Sequence, residues 1–172
     1  MNKNIKFIEK NIKNPKKGLP EDFFLFISRV TPLVCVDLLI KNKKNQTLLT
    51  WRKKGEKSPA GWHVPGGIIR FKEKIFDRIK KVAKNELNAK VVFGTKPIAI
   101  NEINLNQKNR SHVISFLFLC NLKKKLSNDL KFINKNPKVG QWSWFNKVPK
   151  ELIPPHRIYK NFFKHRYKRL KS

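Results

Sequence analysis

Acidic residues are scarce in this chain: 11 Asp and Glu stand against 40 Lys and Arg in 172 residues, a formal net charge of +29. This surplus excludes an electrostatically neutral surface and favours anionic partners such as nucleotides, nucleic acid or acidic lipid. However, 32 of the basic residues are Lys, Asn and Ile are also frequent, and the lysines are spread over almost every polar position. An A/T-rich coding bias gives the same pattern, so nonspecific attraction to polyanions and a mere background of charge both stay open.

Long apolar runs and a set of paired cysteines are also missing. No segment reaches the roughly 20 apolar residues that a membrane-crossing helix needs, and the basic N-terminus lacks the apolar block of a secretory signal. The two cysteines, Cys35 and Cys120, each lie in an apolar stretch, which predicts buried reduced thiols. With 40% apolar residues the chain can form a core. We therefore expect a folded cytoplasmic protein with no membrane span.

The hydrophobic pattern predicts one domain over residues 19–172, preceded by a basic arm at 1–18. Helices are expected from Pro20, over 72–87 and from Pro154 onward. Strands are expected over six segments: 31–42, 46–54, 61–64, 90–103, 111–122 and 140–146. This order predicts an α/β fold in which a mixed sheet packs between helices.

The stretch GWHVPGGIIRFKEKIFDRIKKVAKNEL, residues 61–87, contains the candidate site. Gly66 and Gly67 follow a predicted strand, where glycine lets the backbone turn tightly and approach a ligand. The next helix begins near Arg70, and its N-terminus is suited to phosphate oxygens. Glu86 lies near the C-terminus of that helix, where an acid opposes the helix dipole. Such a carboxylate either pairs with a cation or binds a metal, and the residues alone leave both interpretations open.

This stretch resembles the signature of the Nudix hydrolases, G-x5-E-x7-R-E-U-x-E-E-x-G-U, in which U is aliphatic and W-x-x-P-G-G comes first. WHVPGG at 62–67 is intact, and Gly67, Glu73 and Glu86 match the signature. The departures are Lys81 for the arginine, Val82 and Asn85 for two acids, Asn88 for the glycine and Ala89 for the last aliphatic residue.

Within this superfamily the chain is most similar to the GDP-mannose mannosyl hydrolase branch, through residues 21–42 and LLTWR at 48–52. The resemblance implies a Nudix-type α/β/α sandwich around a mixed β-sheet, and a homodimer. It also implies Mg²⁺-dependent hydrolysis of a nucleoside diphosphate derivative, a nucleotide sugar such as GDP-mannose, with release of sugar and nucleoside diphosphate. The missing acids favour an alternative, a catalytically degenerate protein of the same fold that binds a nucleotide or nucleotide sugar.

The resemblance further implies where the metal and the substrate bind. Glu86 and the backbone carbonyl of Gly66 would hold Mg²⁺, which binds through few protein carboxylates and the phosphates of its substrate. Arg52 and Arg70 are the implied catalytic arginines, Arg70 in place of the family's arginine directly after Gly-Gly, where this chain has Ile. The implied substrate-binding residues are Asp37, Arg52, Gly67 and Arg70.

The family's general base, a histidine, has no counterpart, because the corresponding segment 134–142 contains no His, Asp or Glu. His112, at the start of a predicted strand, is the first candidate for a replacement, since an imidazole titrates near neutral pH. Glu102 is the other conspicuous acid in that half of the chain. His63 lies beside the Gly-Gly segment, where a structural role is equally open. The remaining histidines, His156 and His165, are expected on the surface.

Overall fold

The structure is a computed structural model of the chain, and it describes residues 2–53, 60–133 and 136–170. The α-helices in these residues are α1 (Lys3–Asn11), α2 (Glu21–Val30), α3 (Ile75–Leu87) and α4 (Lys160–Lys164). The strands are β1 (Leu33–Ile40), β2 (Thr47–Arg52), β3 (Gly61–His63), β4 (Gly66–Ile68), β5 (Val91–Phe93), β6 (Ala99–Asn104), β7 (His112–Leu122) and β8 (Trp142–Phe145). None of these helices has the length and apolar character that crossing a membrane requires.

The larger sheet is mixed. Its two central strands, β1 and β7, pair in parallel, with Asp37 opposite Leu117. β4 pairs antiparallel with the other edge of β1, while β5 and β6 pair antiparallel with different parts of β7. A second sheet is antiparallel, in the order β3-β2-β8. The prediction of a mixed sheet is confirmed.

Two apolar layers cover the larger sheet, because alternate residues of a strand point to opposite faces. On one face, Val36 and Leu38 of β1 pack with Ile79 of α3. On the other face, Leu39 packs with Phe163 of α4 and with residues of β2 and β3. The chain therefore forms the α/β/α sandwich that the sequence predicts.

Helix α3 ends where the sequence predicts, at Leu87, and begins three residues later than predicted. Asn88 follows in the left-handed conformation, with φ 47°, and its N–H donates to the Lys84 carbonyl. Ala89 N–H donates to the Ala83 carbonyl, which completes the hydrogen bonds typical of a helix C-terminus. Asn tolerates this conformation better than other residues with a Cβ, so Asn88 suits this helix end although the Nudix signature has Gly at the position.

The C-terminal segment is not the continuous helix that the sequence predicts. A 3-10 turn at Pro154–Tyr159 leads into the short α4, and residues 165–170 lack regular secondary structure. Tyr159 is buried, whereas the preceding residue, Ile158, is 40% exposed. A 3-10 turn has about three residues per turn instead of 3.6, which rotates the buried face by one position.

The predicted Pro-Gly-Gly turn is wrong, because Gly66 and Gly67 form a strand. They pair with Asp37 and Val36 of β1, and neither glycine has the positive φ that a tight turn would need. What requires glycine is close packing: a Cβ at Gly66 would overlap the Asp37 carboxylate.

Candidate functional site

Glu86 lies in the last turn of α3, and its carboxylate reaches across to β2, β3 and β4. Oε1 accepts a hydrogen bond from Gly66 N–H at 2.9 Å, and Oε2 accepts one from the Thr50 hydroxyl at 3.0 Å. His63 Nε2 lies 3.1 Å from the same Oε2. The side chain is 24% exposed. Because an ionised carboxylate has about four lone-pair positions, these three contacts leave about one position for a cation.

The peptide groups of Gly66 point toward Glu86. The residue before Gly66 is Pro65, and its carbonyl accepts a hydrogen bond from Leu38 N–H of β1. In an antiparallel pair, successive residues alternate between facing the partner strand and facing away, so Gly66 turns both its N–H and its C=O away from β1. Its N–H reaches the Glu86 carboxylate. The Gly66 carbonyl, which is the predicted metal ligand, therefore also lies on the side of β4 that faces away from β1.

Asp37, a predicted substrate-binding residue, lies behind Gly66 and is only 4% exposed. Its carboxylate accepts hydrogen bonds from the hydroxyls of Ser115 and Tyr159, the latter at 2.5 Å. Burial raises the pKa of Asp37, although the bonds from Ser115 and Tyr159 oppose the shift. The side chain that the sequence singled out is therefore part of an internal hydrogen-bond network that supports β4.

Gly67, also a predicted substrate-binding residue, lies where α3 packs against β4. A Cβ at this position would lie 3.0 Å from Val82 Cγ2 and 3.5 Å from Arg78 Cδ. Val82 is 4% exposed and stands where the family signature has an acid. The contact between helix and strand is apolar here, and Gly67 makes room for it.

Glu73 connects the loop after β4 to α3. Its Oε2 accepts hydrogen bonds from Arg70 N–H at 3.0 Å and Arg78 Nε at 2.7 Å, and Oε1 accepts one from Lys81 Nζ at 2.8 Å. Burial alone would raise the pKa of Glu73, but the bonds from Lys81, Arg70 and Arg78 outweigh it and lower the pKa to about 2. Lys81, which stands where the signature has arginine, forms an ion pair with Glu73, and the nearly buried Arg78 forms a second one.

The two predicted catalytic arginines have different surroundings. Arg52 ends β2, and burial lowers its pKa, with a further lowering by Arg110 and an opposing effect of Glu86; Arg52 therefore lies within electrostatic reach of both groups. In the three described ranges no carboxylate forms an ion pair with Arg52. Arg70 instead packs on Gly18, where a Cβ would lie 3.2 Å from Nη1. Of the two, Arg52 is the one within electrostatic reach of Glu86.

One histidine contacts Glu86, and a second lies next to the first. His63 contacts the Glu86 carboxylate through Nε2, and His63 Nδ1 is buried with no hydrogen-bond partner in the described part of the chain. His156 Nδ1 accepts a hydrogen bond from Val64 N–H at 2.9 Å, and its ring centroid lies 6.0 Å from that of His63. Burial, with His63 and Arg52 adding to it, holds the pKa of His156 well below its ordinary value. The prediction that His156 is a surface residue is wrong.

His112, the predicted base, lies elsewhere. Its Nε2 is 3.1 Å from Glu102 Oε1, and both side chains are more than one-third exposed. In the parallel pairing of β1 and β7, Leu33 lies opposite Val113, the residue after His112. Asp37, which lies behind Gly66, comes four positions after Leu33. His112 and Asp37 are therefore five positions apart along the strand direction. Five positions correspond to about 16 Å along a strand. The contacts of His112 and those of Glu86 have no residue in common.

Three residues near the site, Thr50, Arg78 and Arg110, were not predicted from the sequence. Thr50 lies two residues before Arg52 in a strand, so alternation places both side chains on one face, and this signal was available. Arg78 reaches Glu73 because the chain turns at Lys72, which has φ 53°, and that turn has no clear sequence signature. Arg110 comes near Arg52 only through the tertiary fold.

Comparison with known proteins gives one match in sequence. No protein-family model matches the chain. The low-salt glycan biosynthesis protein Agl8 of Haloferax volcanii is 33% identical over 82 residues, which are 48% of this chain and 51% of that protein. The chain thus spans about half the length of the curated relative that it matches.

Solved structures give a more extensive match. UDP-X diphosphatase superposes with a TM-score of 0.55 at 18% identity, over 94% of this chain and 87% of that one. The MutT Nudix hydrolase from Burkholderia pseudomallei gives 0.55 at 18%, over 76% and 97%. The MutT protein from Methanosarcina mazei Go1 gives 0.54 at 20%, over 78% and 92%. The chain has the Nudix fold. At these identities the likeness concerns the fold, and the activity has to be argued from the site.

The residues around Glu86 fit a magnesium ion that arrives together with a phosphate. In the described ranges, no group of three or more His, Cys, Asp or Glu residues could hold a metal. Glu86 has about one free carboxylate position, and the Gly66 carbonyl lies on the same side. Mg²⁺ prefers such oxygen ligands and commonly binds through one or two carboxylates, several waters and the phosphates of a substrate.

Proposed function

We propose that the protein is a Mg²⁺-dependent hydrolase of a nucleoside diphosphate derivative, with nucleotide sugars such as GDP-mannose as the substrate class. The observation that carries the proposal is the Glu86 carboxylate, fixed by three contacts beside the Gly66 carbonyl and within electrostatic reach of Arg52. The name of one structural neighbour, UDP-X diphosphatase, and the glycan biosynthesis named for the curated relative both support a nucleotide-sugar substrate.

In this proposal the side chains bind and orient the diphosphate. Glu86 and Gly66 would hold Mg²⁺, which when bound neutralises charge on the diphosphate. Arg52 binds a phosphate through its planar guanidinium, which stays charged at neutral pH because the ordinary pKa of arginine is about 12.5 or higher. Thr50 and His63 keep the Glu86 carboxylate in one orientation.

The histidines His63 and His156 have distinct capacities for proton transfer. His156 Nδ1 already accepts the Val64 N–H, so the neutral ring carries its proton on Nε2. His156 can therefore donate a hydrogen bond to a substrate oxygen, but its Nδ1 is not free to take a proton from water. His63 Nδ1 has a free lone pair in the described structure, which makes His63 the better candidate for the base. His112, which lies about 16 Å further along the sheet, remains the sequence-based candidate.

The decisive experiment is incubation with Mg²⁺ and a panel of nucleotide sugars, with separation of the products by ion-exchange chromatography. Attack of water at the anomeric carbon would release sugar and nucleoside diphosphate, whereas attack at phosphorus would give two monophosphates. We expect Glu86→Gln to lower kcat/KM by about 100-fold or more, as losses at metal sites commonly do. Glu102→Gln is the matched control and should leave kcat/KM unchanged. Full activity of Glu86→Gln would refute the proposed site.

The same panel separates the candidate bases. His63→Asn should lower kcat with little change in KM if His63 takes the proton from water. His112→Asn should have no effect in that case. The opposite result would return the role to His112 and would require the start of β7 to approach the substrate.

A binding protein without turnover is the second candidate. It is favoured by the chemistry of α3, which has Val82 packed on Gly67 and an exposed Asn85 where the signature has acids. A saturating ligand at about 100 times its Kd stabilises a protein by about 2.7 kcal/mol, which raises Tm by about 5–10 °C at this size. Such a shift without any product would establish the binding protein instead of the hydrolase.

A further inference from the structure

A groove of about 1100 Å³, which we call the basic groove, lies away from Glu86 and Glu73. Its walls are the β1–β2 turn at 41–46, the end of β7 with the segment that follows it at 121–126, and the C-terminal segment at 166–169. None of the residues that hydrogen-bond to Glu86 or Glu73 lines it. The basic groove is therefore separate from the proposed hydrolase site.

The charge of the basic groove is one-sided. Ten of its 20 lining residues are Lys or Arg, and none is Asp or Glu. Basic residues are also frequent on the rest of the exposed surface, so what sets the lining apart is that no acidic side chain offsets its ten cations. Like charges along the walls of a concave surface add their fields and attract a polyanion.

Buried contacts fix the walls in place. Lys41 is 4% exposed, and its Nζ donates a hydrogen bond to the Phe163 carbonyl at 2.8 Å. Asn121 donates to the Lys41 carbonyl and accepts the Leu170 N–H, both at 2.9 Å. The C-terminal segment is thus tied to the sheet before and after residues 166–169. The backbone that carries its basic side chains is therefore held at the groove.

Aromatic rings lie among these charges. Trp144 and Tyr167 line the basic groove, and each is partly exposed. A positively charged groove with accessible aromatic rings is the arrangement that binds single strands, because phosphates contact the cations and bases stack on the rings. A planar bilayer surface does not enter a concave groove, and a bare phosphate does not stack on aromatic rings.

We propose that the basic groove binds single-stranded nucleic acid, with Lys123, Lys124 and Lys125 contacting phosphates and Trp144 and Tyr167 stacking on bases. This site does not depend on the hydrolase activity, since it uses none of the residues around Glu86. It gives part of the large net charge a specific role, and it leaves the remaining lysines as background.

The test is fluorescence anisotropy of a labelled 12-nucleotide uridine oligomer titrated with the full chain between 50 and 300 mM NaCl. For a single strand, log K falls with log[salt] by about 0.7 per phosphate contact. The triple variant Lys123→Ala, Lys124→Ala, Lys125→Ala should therefore have a slope shallower by about 2 and an affinity about 50-fold lower at 150 mM.

The matched control removes the same charge from another surface, through Lys3→Ala, Lys6→Ala and Lys10→Ala on α1. Because salt screens charges beyond about 8 Å at this ionic strength, it should change the affinity by less than about threefold. All six lysines are exposed, and the Tm of both variants should match that of the wild type. Equal losses from the two variants would show attraction by net charge alone and would overturn the proposal.

A separate variant tests whether bases stack on Tyr167. Tyr167→Leu should lower the affinity at least about fivefold and leave the salt slope unchanged. Equal affinity for a 12-residue polyglutamate peptide would show a site for any polyanion. Binding to vesicles of phosphatidylcholine and phosphatidylserine without binding to the oligomer would show a membrane-binding surface. Either result would overturn the assignment to nucleic acid.

Discussion

The structure predicts that Glu73→Gln destabilises the fold although Glu73 lies outside the hydrophobic core. Its carboxylate holds the loop after β4 to α3 through Arg78, Lys81 and the Arg70 N–H. The Glu73 side chain is 6% exposed, that of Arg78 is 12% exposed and that of Lys81 is 58% exposed. Gln keeps the size of the side chain and removes the charge, so the variant isolates the ion pairs.

The magnitude follows from the pKa of Glu73, which the fold lowers from 4.5 to about 2. At about 1.36 kcal/mol per pKa unit, this difference corresponds to about 3 kcal/mol in favour of the ionised form. Solvent screens part of the contribution of the exposed Lys81, so we expect a loss of about 2–3 kcal/mol at pH 7. Because the folded pKa is the lower one, this contribution is complete above pH 4.5 and disappears as the pH falls from 4.5 to about 2.

Urea denaturation followed by tryptophan fluorescence measures the difference in the free energy of unfolding between wild type and variant at pH 7, 4 and 3. The matched control is Asp77→Asn, because Asp77 lies 3.9 Å from Lys80 in an exposed pair on the same helix. Such pairs contribute about 0–1 kcal/mol. A difference for Glu73→Gln below 0.5 kcal/mol at pH 7, or one that stays constant between pH 7 and 3, would refute the reasoning.

Further predictions concern the residues behind the site. Gly66→Ala should cost about 1–3 kcal/mol in urea denaturation, since its Cβ would overlap the Asp37 carboxylate. Tyr159→Phe should cost about 1–3 kcal/mol, because it removes a hydroxyl that donates to the buried Asp37. The lowered pKa of His156 means that the unfolded chain takes up a proton before the folded chain does. Wild type should therefore lose stability below pH 6.5 by up to about 1.4 kcal/mol per pH unit, His156→Phe should lose less, and the exposed His165→Phe should follow wild type.

The sequence was sufficient for the fold because its apolar pattern is strong where the core is. β1 and β7 are apolar runs and become the parallel centre of the sheet, and Ile79 and Ala83 mark the buried face of α3. Phe76, in the first turn of α3, is 42% exposed although it lies three residues before the buried Ile79. The C-terminal helix was predicted wrongly because two prolines and a basic composition give no signal for a 3-10 turn.

The site was harder to predict than the fold because its contacts join segments that are distant in sequence. Glu86 was recognised from the signature, but its partner Thr50 lies 36 residues earlier and depends on how two sheets meet. His156 comes from a segment that looks like an exposed basic tail, and it is placed by Tyr159 and Val64 instead. Alternation in a strand predicts the face on which Thr50 lies, but it does not predict that the partner is Glu86 of a distant helix.

The positions that depart from the Nudix signature are of two kinds. At some of them the structural contact is present in this chain, and at others an acidic residue is missing. Lys81 and Arg78 keep Glu73 paired, and Asn88 keeps the left-handed end of α3. Val82 stands where the signature has an acid and packs against Gly67, so this position contributes to the contact between helix and strand and offers no metal ligand. The contacts that hold Glu86 in position are therefore present, and in the proposed metal site Glu86 would be the only carboxylate ligand. Since a single carboxylate binds Mg²⁺ weakly without further ligands, the metal and the diphosphate should bind this protein together or not at all.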